Sequence, residues 1–74
     1  MNNDYCVLHY DTFFQNIERV GPLMSRDDAI RAAIADADEV DDPTIEVQVC
    51  AKGLGMGEFC PIGYVEDGEF VDLF

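Results

Sequence analysis

Apolar and polar residues alternate most regularly in residues 44–51, Thr-Ile-Glu-Val-Gln-Val-Cys-Ala. Successive side chains of a strand point to opposite faces of a sheet, so Ile45, Val47 and Val49 share one face and the intervening residues share the other. This pattern predicts a half-buried strand. Residues 5–10, Tyr-Cys-Val-Leu-His-Tyr, are rich in strand formers and predict a buried first strand.

The segment 11–20 fits two patterns. Phe13, Ile17 and Val20 have the spacing of a helical face, whereas residues 16–20 also have the composition of a second strand. We favour the strand, because a glycine and a proline follow directly and are typical of the exit from a hairpin.

The clearest helix signal begins at Ser25, which is a suitable N-cap, and Asp28 follows three residues later as in a capping box. Asp27 lies in the first turn, where the helix dipole favours negative charge, and four residues before Arg31, a spacing that allows an ion pair. The helix should end near Asp38, because an Asp-Pro pair follows and favours extended chain. The predicted apolar stripe comprises Ile30, Ala33, Ile34 and Ala37.

Residues 61–74 predict a hairpin around a two-residue turn at Asp67 and Gly68, a pair that suits such turns. The resulting register places Glu66 directly opposite Glu69. It also divides the apolar residues between two faces: Ile62, Tyr64, Val71 and Leu73 lie on one, and Val65 and Phe70 on the other.

Together these segments predict a single α+β domain over residues 1–74. One helix packs on one face of an antiparallel sheet of four or five strands, and the order along the chain is β-β-α-β-β-β. Glycines at positions 53, 55 and 57 interrupt the pattern between the third and fourth strands and predict a flexible loop there.

Charge changes this picture of an ordinary small domain. The 74 residues include 16 acids and 4 bases, which gives a formal net charge of −12. Residues 1–31 hold five of the acids and three of the bases, whereas residues 32–74 hold eleven acids and one base, Lys52. Phosphate contacts require Lys and Arg, so this balance excludes nucleic acid and anionic membranes as direct ligands. The apolar content of 49% supports a folded core.

Cysteine usage and the N-terminus bear on the compartment. The three cysteines, Cys6, Cys50 and Cys60, are an odd number, which fits a reducing compartment better than a disulfide framework. The N-terminus has neither the basic region nor the apolar run of a signal peptide. No apolar stretch approaches the roughly 18 residues that span a bilayer. We therefore expect a cytoplasmic protein.

Catalytic and metal-binding patterns find little support. Ser25 is the only serine and is used as the N-cap, and His9 is the only histidine. Cys6 and His9 are three residues apart on a strand and therefore point to opposite faces. Cys50 and Cys60 are ten residues apart, which does not fit the close pairs of a structural zinc site. We expect no catalytic residue, no metal site and no cofactor, and interpret His9 as a structural strand residue.

Two ligand-binding motifs are incomplete. The run 36–42, Asp-Ala-Asp-Glu-Val-Asp-Asp, has Asp41 at the sixth position, where a calcium-binding loop needs glycine. The run Gly-Leu-Gly-Met-Gly has Glu58 where the dinucleotide fingerprint needs its third glycine. Leu54, Met56 and Phe59, on this glycine-rich connection, instead suit contact with a protein partner.

The acidic residues are placed at a local cost. Residues 36–42 lie at the predicted carboxyl end of the helix, where negative charge opposes the dipole at about 0.3–1 kcal/mol per residue. Glu66 and Glu69 face each other across the hairpin, and like charges there destabilise the pair. Local rules broken without local gain tend to mark functional sites. The predicted partner-binding acidic surface comprises Asp36, Asp38, Glu39, Asp41, Asp42, Glu46, Glu58, Glu66, Asp67, Glu69 and Asp72.

In its size, its charge and the runs Asp-Ala-Asp-Glu-Val-Asp-Asp and Glu-Asp-Gly-Glu-Phe-Val-Asp, the chain resembles small, acidic, DNA-mimicking inhibitors. Phages and mobile elements carry such inhibitors, which include anti-CRISPR proteins. The resemblance implies a non-enzymatic protein that acts in the cytoplasm of a bacterial host cell. Its acidic surface would engage the basic, nucleic-acid-binding site of a host defence complex, a protein or ribonucleoprotein.

Two other functions remain open at the level of sequence. The chain could be a general protein-interaction module or small accessory subunit that binds through residues 53–59 and a sheet edge, with the acids only solubilising it. It could also be a homodimer whose final strand pairs across a two-fold axis.

Overall fold

The computed structural model describes residues 3–53 and 59–73. In chain order the elements are β1 (Tyr5–Asp11), β2 (Asn16–Met24), α1 (Arg26–Glu39), β3 (Ile45–Lys52), β4 (Phe59–Glu66) and β5 (Glu69–Asp72). The strands form one antiparallel sheet in the order β2-β1-β3-β4-β5, with β2 and β5 at its edges. The predicted α+β class and element order are confirmed.

The helix begins and ends as its sequence predicts. The Ser25 hydroxyl accepts a hydrogen bond from the Asp28 backbone N–H at 3.2 Å, which satisfies one of the free donors of the first turn. At the other end Val40 leaves the helix and its N–H donates to the Asp36 carbonyl. The ion-pair prediction was wrong in its partner: Arg31 lies 3.7 Å from Asp28, one turn back at i,i+3, instead of pairing with Asp27.

The main core lies between the helix and the sheet. Ala29 and Ala33 are fully buried against Val7, Val47 and Val49 on the two central strands. Alanine side chains are short, so they let the helix backbone approach the sheet closely. The predicted stripe was centred one position too far round the helix, because Ala29 is fully buried whereas Ile34 is only partly buried.

A second cluster lies on the face away from the helix. Cys6 and Leu8 on β1 and Cys50 on β3 are buried there, and Leu23 and Phe59 pack against them. Cys6 and Cys50 are direct cross-strand partners. Phe59 is the first residue of β4, so its prediction as a loop contact was wrong: it belongs to the sheet and covers this cluster.

Strand β2 was predicted correctly as a strand, but it continues beyond its predicted end through Gly21 and Pro22 to Met24. The register between β1 and β2 shifts in this region, and Gly21 has a φ of +84°, which glycine adopts without strain. Pro22 has no N–H to donate to a neighbouring strand. An edge strand tolerates this, because one of its sides has no partner strand.

The hairpin of β4 and β5 has the predicted register, with Glu66 opposite Glu69 and a turn at Asp67 and Gly68. Both turn residues have positive φ, 52° and 77°, as the tight two-residue turn requires. The predicted face of Ile62 was wrong. A bulge makes Ile62 the extra residue of β4, which turns its side chain toward the core beneath the helix.

Candidate acidic interface

Carboxylates from separate chain segments meet at one end of the domain. There β1 and β4 end, β2, β3 and β5 begin, and α1 reaches its carboxyl terminus. Thr12 ties two of the connections together, because its N–H and its hydroxyl both donate to the Thr44 carbonyl, at 2.9 and 2.7 Å. We call this region the acidic end. Its acidic residues are Asp11, Glu18, Asp36, Asp38, Glu39, Asp41, Asp42, Glu46, Glu66, Asp67 and Glu69.

The basic residues lie elsewhere on the fold. Arg26 is the first residue of the helix, Arg31 follows in its second turn, and Lys52 is the last residue of β3, all toward the opposite end of the domain. Arg19 lies in the middle of β2 opposite Leu8. The negative potential is therefore concentrated at the acidic end, although net charge alone would not have placed it there.

Three glutamates form a row across the sheet on the face away from the helix. Glu66 and Glu69 are direct partners across β4 and β5. Gln48 on β3 pairs with Tyr64 on β4. Glu46 is two residues before Gln48 and Glu66 is two residues after Tyr64, so Glu46 extends the row onto β3. Gln48 donates to Glu46 at 2.8 Å and holds that carboxylate in place. Neighbouring strands are about 4.8 Å apart, so the row concentrates negative charge.

The helix end brings the two acidic runs of the sequence together. Asp38 near the end of α1 and Asp67 in the β4–β5 turn both line a cleft of about 300 Å³, whose floor includes Val40 and Val65. Glu39 and Asp41 are exposed on either side of the helix terminus. The structure thus places Glu66, Asp67 and Glu69 at the same end of the domain as the run 36–42.

Asp36 and Asp42 are among the carboxylates of the acidic end that have structural partners. Asp36 Oδ2 contacts His9 Nε2, and both side chains are about a quarter exposed, at 23%. Asp42 Oδ1 accepts hydrogen bonds from the Thr44 hydroxyl at 2.7 Å and the Thr44 N–H at 2.9 Å. These bonds, the hydroxyl first, hold the pKa of Asp42 below its ordinary value. Asp36 and Asp42 therefore stabilise the fold locally as well as adding charge.

Asp72 does not belong to this surface, and its assignment there was wrong. It lies opposite Gly63 in the middle of β4, and its Oδ2 is 3.1 Å from the Arg26 guanidinium at the start of the helix. The same guanidinium lies 5.9 Å from the centre of the Phe70 ring. Glu58, Leu54 and Met56 lie outside the described residues.

Three exposed apolar side chains next to the acidic end were missed in the sequence. Phe13 and Phe14 in the β1–β2 turn are 73% and 68% exposed, and Ile17 at the start of β2 is 62% exposed. The two rings pack edge to face with their centroids 4.8 Å apart. Two phenylalanines in a hairpin turn, where Gly, Asn, Asp and Ser are usual, were the signal available in the sequence.

The cysteines and the histidine lack the arrangement of a nucleophilic site. Cys6 faces away from the helix and His9 faces toward it, on opposite faces as predicted. Burial raises the pKa of the Cys6 thiol, and it raises that of Cys50 to about 12, so both remain protonated at neutral pH. Within residues 3–53 and 59–73, no group of three or more His, Cys, Asp or Glu side chains is placed to hold a metal ion.

Comparison of the chain with protein-family models, curated proteins and solved structures gave no match. The part of the chain that the structure describes also contains no helix with the length and apolar character needed to cross a membrane.

Proposed function

We propose that this domain is a non-enzymatic inhibitor that binds a partner protein through its acidic end. Its target is the basic, nucleic-acid-binding site of a host defence complex, as for the DNA-mimicking inhibitors that it resembles. The observation that carries the proposal is the convergence of exposed and partly exposed carboxylates from the helix end, the start of β3 and the β4–β5 turn on one end of the domain.

The density of charge suits this role. A strand of B-DNA presents about one charge per 3.4 Å of its axis, and the row of Glu46, Glu66 and Glu69 presents carboxylates at strand spacings of about 4.8 Å. A groove lined with Lys and Arg would recognise such a row by charge complementarity. Association would be steered by the field of the acidic end and weakened by salt.

The local energetics support the proposal independently. Glu66 and Glu69 repel across the hairpin, and no basic residue lies in the last turn of the helix to offset Asp38 and Glu39. A surface selected only for stability would place Lys or Arg at these positions. A basic partner would turn the repulsion into attraction on binding.

A pull-down from bacterial lysate tests the proposal, with washes at low and high salt and with or without competing duplex DNA. We expect a nucleic-acid-binding complex to be retained at low salt and released by high salt or by DNA. The captured complex must itself shift duplex DNA in a gel. A partner that survives both high salt and DNA would contradict the proposal.

Two charge-matched double variants locate the contact. Glu66→Gln with Glu69→Gln removes two charges from the acidic end, and Asp4→Asn with Asp27→Asn removes two from elsewhere on the exposed surface. Each pair raises the net charge by the same amount. We expect the first pair to weaken retention and the second to leave it nearly unchanged. An equal loss of retention in both double variants would show that net charge alone, and not this surface, governs binding.

A further inference from the structure

The β1–β2 turn presents its two aromatic side chains to solvent. Phe13, Phe14 and Ile17 are each more than 60% exposed, on one hairpin tip. Single exposed apolar residues are ordinary, whereas a contiguous group on a small protein marks an interaction surface. We call these three residues the aromatic tip.

The tip is held in a fixed conformation. The Asp11 carboxylate accepts hydrogen bonds from the Phe13 N–H at 2.9 Å and the Phe14 N–H at 3.1 Å. Thr12 fastens the turn to Thr44 on the neighbouring connection, and Gln15 closes it with a φ of 57°. A side chain presented on a rigid turn loses little conformational entropy on binding. The exposure is therefore built into the hairpin.

The acidic end surrounds the tip and restricts what can cover it. Asp11 lies at its base and Glu18 follows Ile17 on β2, while Asp41 and Asp42 lie on the connection that Thr12 contacts. A second copy of this chain would bring two such negative surfaces together, which repulsion disfavours. A basic surface around an apolar pocket is complementary to both parts.

We propose that the aromatic tip is the apolar anchor of the interface: Phe13 and Phe14 enter an apolar pocket that adjoins the basic surface of the partner. The basic character of the partner rests on the proposed function, whereas the anchor rests on exposure and geometry. The acids then govern encounter and salt dependence, and the tip slows dissociation. Buried aromatic residues at the centre of a polar rim are the usual source of most binding energy in protein interfaces.

Two synthetic peptides of equal length and charge test the pairing of chemistries: one alternates Arg and Leu, and the other alternates Arg and Ser. Fluorescence anisotropy gives the Kd of each. We expect the wild-type chain to prefer the Arg-Leu peptide by at least about tenfold, the ratio that burial of one large apolar side chain supports. Amide NMR shifts should move in residues 12–17.

Matched variants separate the tip from the acids. Phe13→Ser with Phe14→Ser should bring the ratio of the two Kd values close to one, whereas Leu73→Ser, which changes an apolar side chain that is 53% exposed outside the tip, should leave the ratio unchanged. Glu66→Gln with Glu69→Gln should weaken the binding of both peptides and leave the ratio of the two Kd values unchanged. All of these positions are exposed, so loss of folding does not explain a loss of binding.

The outcomes are distinguishable. A wild-type ratio near one, or a ratio that survives the Phe13 and Phe14 changes, overturns the anchor and leaves the proposed function standing. Binding of the Arg-Leu peptide that depends on the tip but is insensitive to salt and to the Glu66 and Glu69 changes supports the anchor and overturns the basic partner. A dimer in sedimentation that the Phe13 and Phe14 changes convert to a monomer overturns the anchor's assignment to a foreign protein.

Discussion

Gly63 is the position at which a single added methyl group should damage the fold most. It is buried in β4 opposite Val49, beneath the ring of Phe70. A Cβ atom built on Gly63 would come within 2.5 Å of the Phe70 ring and would lie 2.5 Å from the Val71 carbonyl oxygen. Ordinary carbon contacts are about 3.5–4.0 Å. The ring must therefore move by about an ångström, and the β4–β5 pairing must open as well.

The stability cost of Gly63→Ala depends on which of its neighbours can move. Overpacking typically costs about 1–3 kcal/mol when side chains alone adjust. Here one obstacle is the backbone of β5, and the other is a ring packed against the core and beneath Arg26. We expect Gly63→Ala to cost about 3 kcal/mol. For a domain of this size that corresponds to a fall in Tm of roughly 12–24 °C.

Urea denaturation followed by circular dichroism measures the effect. Phe70→Leu removes the outer ring atoms, so the double variant Gly63→Ala with Phe70→Leu should recover part of the loss, with a coupling of about 1 kcal/mol in a double-mutant cycle. The Val71 carbonyl should prevent full recovery. A Gly63→Ala protein within about 0.5 kcal/mol of wild type would refute the close approach of β5 and Phe70 to Gly63.

Four further outcomes are expected. Ser25→Ala should remove the N-cap bond and lower the free energy of unfolding in urea by about 1 kcal/mol. Glu69→Lys should stabilise the hairpin by about 0.2–1 kcal/mol by replacing repulsion with attraction; a gain that persists unchanged in high salt would contradict this cause. Exposed Cys60 should react with a thiol reagent before Cys6 and Cys50, which need unfolding. Burial raises the folded pKa of Cys50 from 9.0 to about 12, so stability should fall as pH rises through that interval, and a flat profile there would argue against a buried thiol.

Local signals in the sequence were sufficient to predict the secondary-structure elements and the register of the β4–β5 hairpin. The Asp67-Gly68 pair can form the tight turn only with positive φ at both residues, and that turn fixed the partners of Glu66 and Glu69. Ser25 marked the helix start because few residue types can satisfy the first free N–H groups. These features depend on neighbours in the chain, so a single sequence contains them.

Features that depend on distant segments could not be predicted in this way. Alternation alone placed Ile62 on the wrong face, because the bulge in β4 arises from its pairing with β3. Asp72 was assigned to the acidic surface by its closeness in sequence to Glu69. The strand β5 carries it away from the acidic end to a position opposite Gly63 in the middle of β4, where Arg26 from the helix lies near it.

Some of the acids at the helix end have a structural role, and the others do not. Asp36 contacts His9, and Asp42 caps the start of β3 through Thr44, so both have a role in the fold. Asp38, Glu39 and Asp41 receive no hydrogen bond or ion pair from the residues that the structure describes, and they still oppose the helix dipole. If their role is to bind a basic partner, neutralising these three should raise the free energy of unfolding and weaken salt-dependent binding in the same protein. If they only keep the domain soluble, the stability gain should appear without any loss of binding. The opposite signs of the two effects make the helix end the most informative place to separate a binding surface from a solubilising one.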